Sequence, residues 1–197
     1  MTLIMGVMGI INLAHGQLMM LAMYVTLVLN TMGIDPYVSL FVAMPLLFLL
    51  GVAIQKFLLN PLIRVETILP ENQVLMTVGI GMVLTEIARF TFSSDYKYIT
   101  TDYSNRTFAI GNISFSVALT IAFGIALVFT AAMFWFLLKT DLGRSIRATA
   151  QDKDAATLMG VNTARITVIT FGIGSALVAA AGCLLAPVYY YYWMLQR

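Results

Sequence analysis

Long apolar runs separated by short polar stretches set the pattern of this chain. Val38 to Leu59, Val74 to Phe92, Val117 to Leu138 and Ile166 to Val188 each approach or exceed the length needed to cross a membrane. A hydrocarbon core of about 30 Å takes about 20 apolar residues in a helix. The opening is different. Thr2 to Leu13 is too short to span alone, and Leu18 to Met32 follows only after the polar cluster Asn12, His15, Gly16 and Gln17, so residues 2–32 are expected to form a broken or partial span. Gly33-Ile34-Asp35-Pro36 then signals a turn, because proline disfavours helix at the residue before it.

Between the runs the polar segments differ in kind. Residues 60–73 carry Pro61, Arg64, Glu66, Pro70 and Glu71, and residues 139–165 are rich in charge. Residues 93–114 hold Tyr, Thr and Asn, with short alternating pieces such as Thr107-Phe108-Ala109-Ile110 that suit a small hairpin. The spans alternate sides, so the loops can be compared. One side collects Lys56, Arg64, Lys139, Arg144, Arg147, Lys153 and Arg165, while the other holds Lys97, Arg106 and Arg197. The positive-inside rule makes the first side cytoplasmic. The 93–114 loop is then external, and the aromatic run Tyr189 to Trp193 falls at headgroup level on that face. Asn105-Arg106-Thr107 matches a glycosylation acceptor there, a pattern common by chance.

Composition narrows the class. Of the 197 residues 60% are hydrophobic and only 10% charged, against about 25% charged in soluble domains. That supply cannot make a water-exposed surface. The expected fold is an all-α polytopic transmembrane bundle. A net charge of +2, with the basic residues in loops, sets nucleic acid aside. Cys183 is the one cysteine and His15 the one histidine, so neither a disulfide nor a Cys/His metal site is expected, and no cofactor. No Gly-rich phosphate loop with Lys-Ser/Thr is present, so any ATP hydrolysis must belong to a partner.

The charged segment from Asp141 to Arg165 is the most informative. Gly143-Arg144-Ser145-Ile146-Arg147-Ala148 and Asp152 through Val161 alternate charge with small residues, and Gly160 with Asn162 offers a helix stop. A short cytoplasmic helix between two spans is expected. Its plain alternative is a solvated loop. Asp154-Ala155-Ala156, three residues, then Gly160 resembles the "EAA, three residues, Gly" loop of ABC importer permeases, with Asp in place of Glu and without the downstream Ile-x-Leu-Pro. In that family the loop is a coupling helix docked in a groove of the ATPase. Complementary charges read its acidic and basic residues.

Other segments extend the resemblance. Gly9-Ile10-Ile11-Asn12-Leu13-Ala14-His15-Gly16 resembles the "G-x-x-N-x-A-H-G" signature of branched-chain amino acid permeases of the LivH type and their urea-transporter relatives. Leu142 to Ala148, Gly160-Val161-Asn162, Phe171 to Ala176 and Ala181-Gly182 follow that family's pattern in the same order. Nearly the whole chain is covered. The family has a further helix before the Asn-x-Ala-His-Gly segment and more after the present C-terminus, so this chain is expected to be truncated at both ends.

The resemblance implies a permease subunit of an ATP-driven importer in the bacterial inner membrane, carrying branched-chain amino acids or a similar small polar solute. Its implied partners are ABC ATPases, a paralogous permease or a second copy, a periplasmic solute-binding protein and membrane lipid. Candidate ATPase-coupling residues are Arg144, Arg147, Asp154, Ala155, Ala156 and Gly160. Asn12, His15, Gly16, Gln17 and Glu86 are candidates for the translocation pathway. For His15 and its neighbours two readings stand, a solute contact or a hydrogen bond that satisfies backbone freed at a helix break. Glu86 and Arg89 are three residues apart and can pair on one helix face; a charge at the bilayer centre costs roughly 2.5 to 3.5 kcal/mol on insertion scales, so such residues usually face a bundle interior or water.

Two other classes are weighed. An ATP-independent channel or secondary transporter, for an amide or urea, would need a buried ionisable coupling site, for which Glu86 is the candidate. A membrane-embedded enzyme would need clustered nucleophiles, acids or metal ligands, and the lone His15 and Cys183 lie far apart.

Overall fold

In lipid, backbone N–H and C=O groups have no water to turn to, so uninterrupted apolar sequence closes its own hydrogen bonds as helix. The computed structural model describes residues 12–63, 70–92, 99, 107–110 and 113–187, and they form an all-helical membrane bundle with one small hairpin. Helix α1 is His15–Thr31, and α2 is Leu40–Ala53, which continues through a π-helical segment, Ile54–Leu59, into the short α3, Asn60–Ile63. Helix α4 is Pro70–Phe92. Strands β1, Thr107–Ile110, and β2, Ile113–Ser116, pair antiparallel with Phe108 opposite Phe115. Helix α5 is Val117–Lys139, α6 Asp141–Gln151, α7 Lys153–Leu158 and α8 Thr163–Leu185. Among the described residues four stretches are long and apolar enough to cross a membrane: Leu40–Leu59, Val74–Phe92, Val117–Lys139 and Thr163–Leu185. The opening run before Asn12, the loop charges Arg64 and Glu66, the Asn105-Arg106 pair and the aromatic run Tyr189 to Trp193 lie outside the described residues.

Helix α8 is the centre of the bundle. Over its most apolar window 56% of residues are buried, against 6% for α5. Lipid is as apolar as leucine, so helices associate through close packing rather than through the hydrophobic effect, and small residues mark the contact. Here they are Gly172, Ser175, Ala179, Ala180, Gly182 and Cys183, all buried. A Cβ built at Gly182 would lie 2.8 Å from the Met19 carbonyl oxygen and 2.9 Å from the Ala22 Cβ, and one at Gly172 would lie 2.8 Å from Val52. The α1 and α2 backbones therefore approach α8 on two sides. At the α1 seam Thr26 Oγ1 donates to the Ala22 carbonyl at 2.9 Å and lies 3.1 Å from Cys183 Sγ, so the cysteine is a buried packing residue. Phe41, Phe90, Phe123 and Trp135 stand exposed on the outside, where a membrane helix meets lipid.

The turn between α1 and α2 closes by local chemistry. Gly33 has φ +85°, a left-handed conformation that suits glycine, and it lets Gly33 N–H reach the Asn30 carbonyl at 2.9 Å and Ile34 N–H the Leu29 carbonyl at 3.0 Å. Asp35 Oδ1 then accepts from Tyr37 N–H at 2.8 Å, and the Tyr37 hydroxyl donates to the Ala118 carbonyl at 2.9 Å, fastening the turn to the start of α5.

Candidate coupling elbow and translocation path

Residues 139–165 form two short helices where the sequence led us to expect one. The reason is three successive caps, each a short polar side chain that takes up a free helical N–H. Thr140 Oγ1 donates to the Phe136 carbonyl at 2.7 Å and accepts from Gly143 N–H at 3.0 Å, ending α5 and starting α6. Asp152, in an extended conformation, accepts from the N–H groups of Asp154 and Ala155 at 2.9 Å each and starts α7. Asn162 Oδ1 accepts from Arg165 N–H at 3.0 Å and starts α8.

Helix α7 stops at Gly160, whose φ is +85°. Gly160 N–H bonds to the Thr157 carbonyl and Val161 N–H to the Ala156 carbonyl, both at 3.0 Å, the paired bonds of a Schellman stop. The glycine of the Asp-Ala-Ala-x-x-x-Gly spacing thus has a local cause. It ends the helix whose first turn holds Asp154 and which Asp152 caps.

Packing fixes the elbow to the bundle. Gly143 lies so close to the end of α5 that a Cβ there would sit 2.6 Å from Leu137 Cα. Ile146 and Ile166 share a buried cluster flanked by Phe136, Leu137, Val161 and Ile173. Gly143, Ile146 and Thr149 make the inward face of α6. Arg144 and Arg147 are exposed, Arg144 paired with Asp141 one turn back. On α7, Asp154 and Ala155 are exposed whereas Ala156 is buried. Leu158 and Met159, not among the residues expected from the sequence to couple, are 89% and 84% exposed. Two large apolar side chains beside a helix-stop glycine in a charged segment were the available signal.

The path candidates gather where α1 begins. Asn12 Oδ1 accepts from Ala14 N–H at 2.9 Å, and His15 Nδ1 lies 2.9 Å from the Asn12 carbonyl. Leu13 N–H donates to Thr77 Oγ1 of α4 at 3.2 Å, while the Thr77 hydroxyl donates to the Val74 carbonyl at 2.8 Å. Thr77, 1% exposed, is a residue the sequence did not single out, because one threonine in an apolar helix looks like any other. Asn12 and His15 are buried, and Asn12 Nδ2 and His15 Nε2 have no hydrogen-bond partner among the described residues. Gln17 is partly buried against Gly81, where a Cβ would lie 3.0 Å from the Gln17 side-chain amide carbon. Gly16 is exposed. Glu86 stands apart from this group, exposed on α4 and paired with Arg89 at 3.3 Å.

Comparison with known proteins covers the same ground. The chain is 27% identical over 201 residues to the high-affinity branched-chain amino acid transport system permease protein LivH of Salmonella typhimurium, covering 95% of this chain and 64% of the relative. LivH of Escherichia coli K12 matches with the same identity and coverage. BraD, a high-affinity branched-chain amino acid transport system permease protein of Pseudomonas aeruginosa, is 26% identical over 208 residues, again covering 95% and 64%. The chain thus spans 64% of the length of these relatives. No solved structure matches it. Residues 1–194 match the family described as branched-chain amino acid transport system / permease component, and the chain belongs to that family.

Proposed function

We propose that the chain is the membrane-spanning permease of an ATP-binding-cassette importer, passing branched-chain amino acids or a similar small polar solute across the bacterial inner membrane. It is non-catalytic, and ATP is hydrolysed by a partner. The observation that carries this reading is the α6–α7 elbow. A six-residue helix capped by Asp152 and stopped by Gly160 holds Leu158 and Met159 almost wholly exposed, on the side with most of the Lys and Arg. Large apolar side chains exposed in this way mark a docking surface.

In this reading Leu158 and Met159 insert into an apolar groove of the ATPase, with Asp154, Arg144 and Arg147 reading charges around it. Ala156 and Gly160 hold the helix in place from behind and at its end, and Ala155 keeps its exposed face shallow. The solute path begins at Asn12, His15, Gly16 and Gln17. Glu86 joins it where a second permease subunit, a paralogue or another copy, covers the outer face of α4. A periplasmic binding protein delivers the solute.

The test is co-purification from membranes. Deleting residues 150–160 is expected to abolish recovery of the ATPase while the chain still inserts, and Leu158→Glu with Met159→Glu to weaken it. Undiminished recovery after the deletion overturns the elbow as the docking site, and absence of any ATPase beside the undeleted chain overturns the reading in favour of an ATP-independent channel.

A further inference from the structure

We infer that Gln55, in the π-helical segment of α2, is a solute-contacting residue of the path; the inference rests on the permease reading above. Gln55 is fully buried in a membrane helix, where an unpaired polar group is expensive. One end of its amide is used, with Nε2 donating to Asn60 Oδ1 at 3.0 Å. The other end, Oε1, is buried with no hydrogen-bond partner among the described residues. The segment around it, Ile54–Leu59, is the π-helical one, a rare geometry that recurs at functional sites.

Position joins Gln55 to the other spare polar atoms. Gln55 follows Ile54 in the chain, and Asn12 and His15 flank Ala14. Ala14, which caps α1, belongs to one buried cluster with Ile54, Ile80 and Phe171 of α2, α4 and α8. Asn12 Nδ2, His15 Nε2 and Gln55 Oε1 therefore belong to residues that adjoin one buried apolar cluster in the chain. A cluster edged by several unused donors and acceptors gains hydrogen bonds when a small polar solute enters as it parts. Gln55 supplies an acceptor for an N–H of the solute, and Asn12 a donor for its oxygen.

The experiment uses the assembled importer in proteoliposomes, with radiolabelled leucine as probe and Cys183→Ser as background. The Gln55→Cys thiol is expected to react with a small water-soluble thiol reagent faster during ATP turnover than without ATP, and leucine is expected to slow that reaction. Gln55→Leu is expected to raise KM for leucine about tenfold, the effect of losing one hydrogen bond, without lowering the amount of ATPase recovered. If Gln55→Leu does not accumulate, Gln55→Asn, which keeps the amide but draws it back, carries the same comparison. A thiol inert in both states together with an unchanged KM overturns the inference. A thiol that responds to ATP turnover in an importer that takes up no leucine upholds the place of Gln55 in the path and overturns the solute class proposed above.

Discussion

Gly51 of α2 faces Ser175 of α8 so closely that a Cβ built on the glycine would lie 2.7 Å from the Ser175 Cβ. This contact lies in the largest helix–helix interface of the bundle, and neither helix can retreat without opening it. Gly51→Val is therefore expected to destabilise the protein by about 1 to 3 kcal/mol through overpacking. Ser175→Gly in the same chain should restore part of the loss, because it removes the atoms met first. Thermal melting of the detergent-solubilised protein checks both, and a melting point unmoved by Gly51→Val would show that the two backbones are free to separate.

At the elbow, Gly160→Ala forces a side chain into a left-handed conformation at a cost of about 1 to 2 kcal/mol, and Asp152→Ala removes a cap worth about 1 kcal/mol. Helix α7 has only six residues and little internal stability to lose. Each variant is expected to fray α7 and weaken ATPase recovery while leaving the span α8 intact. Hydrogen exchange across residues 153–161 reads the fraying, and protection equal to that of the parent chain would contradict it.

Thr77 joins α1 to α4 by accepting from Leu13 N–H. Thr77→Val keeps the shape and removes the acceptor of that part-buried N–H, a cost of about 1 kcal/mol. Thr77→Ser keeps the hydroxyl and should melt close to the parent. If the valine and serine variants melt alike, the hydroxyl does not fasten the two helices.

Asn12 uses its Oδ1 to turn the backbone into α1 and keeps Nδ2 for another partner. Asn12→Asp retains the turn and removes the donor, whereas Asn12→Ala removes both. Both variants are expected to lower leucine uptake with ATPase recovery unchanged, and only Asn12→Ala should lower the melting point appreciably. Normal uptake by Asn12→Asp would remove Nδ2 from the path.

Much of this architecture was legible along the chain because its causes are local. The apolar runs become helices since no other local structure satisfies the backbone in lipid, and Gly33 and Gly160 stop helices by their own conformational freedom. The segment 139–165 stood out by charge and by its Asp-Ala-Ala-x-x-x-Gly spacing. Its division into α6 and α7 was less apparent, although Asp152 is a good capping residue, because a capping side chain is easily taken for one more loop charge.

The sequence alone determined that the chain crosses the membrane as helices and which segment carries the charged elbow, since hydrophobic length and cap chemistry act over a few neighbouring residues. Only the tertiary structure decided which faces meet. In helices apolar on every side, no hydrophobic stripe points inward, and lipid and protein offer nearly the same apolar surroundings. The close approach of small residues on α8 made that choice, and Ala14 and Ile54, neighbours of His15 and Gln55, meet in one buried cluster although they come from separate elements of the sequence.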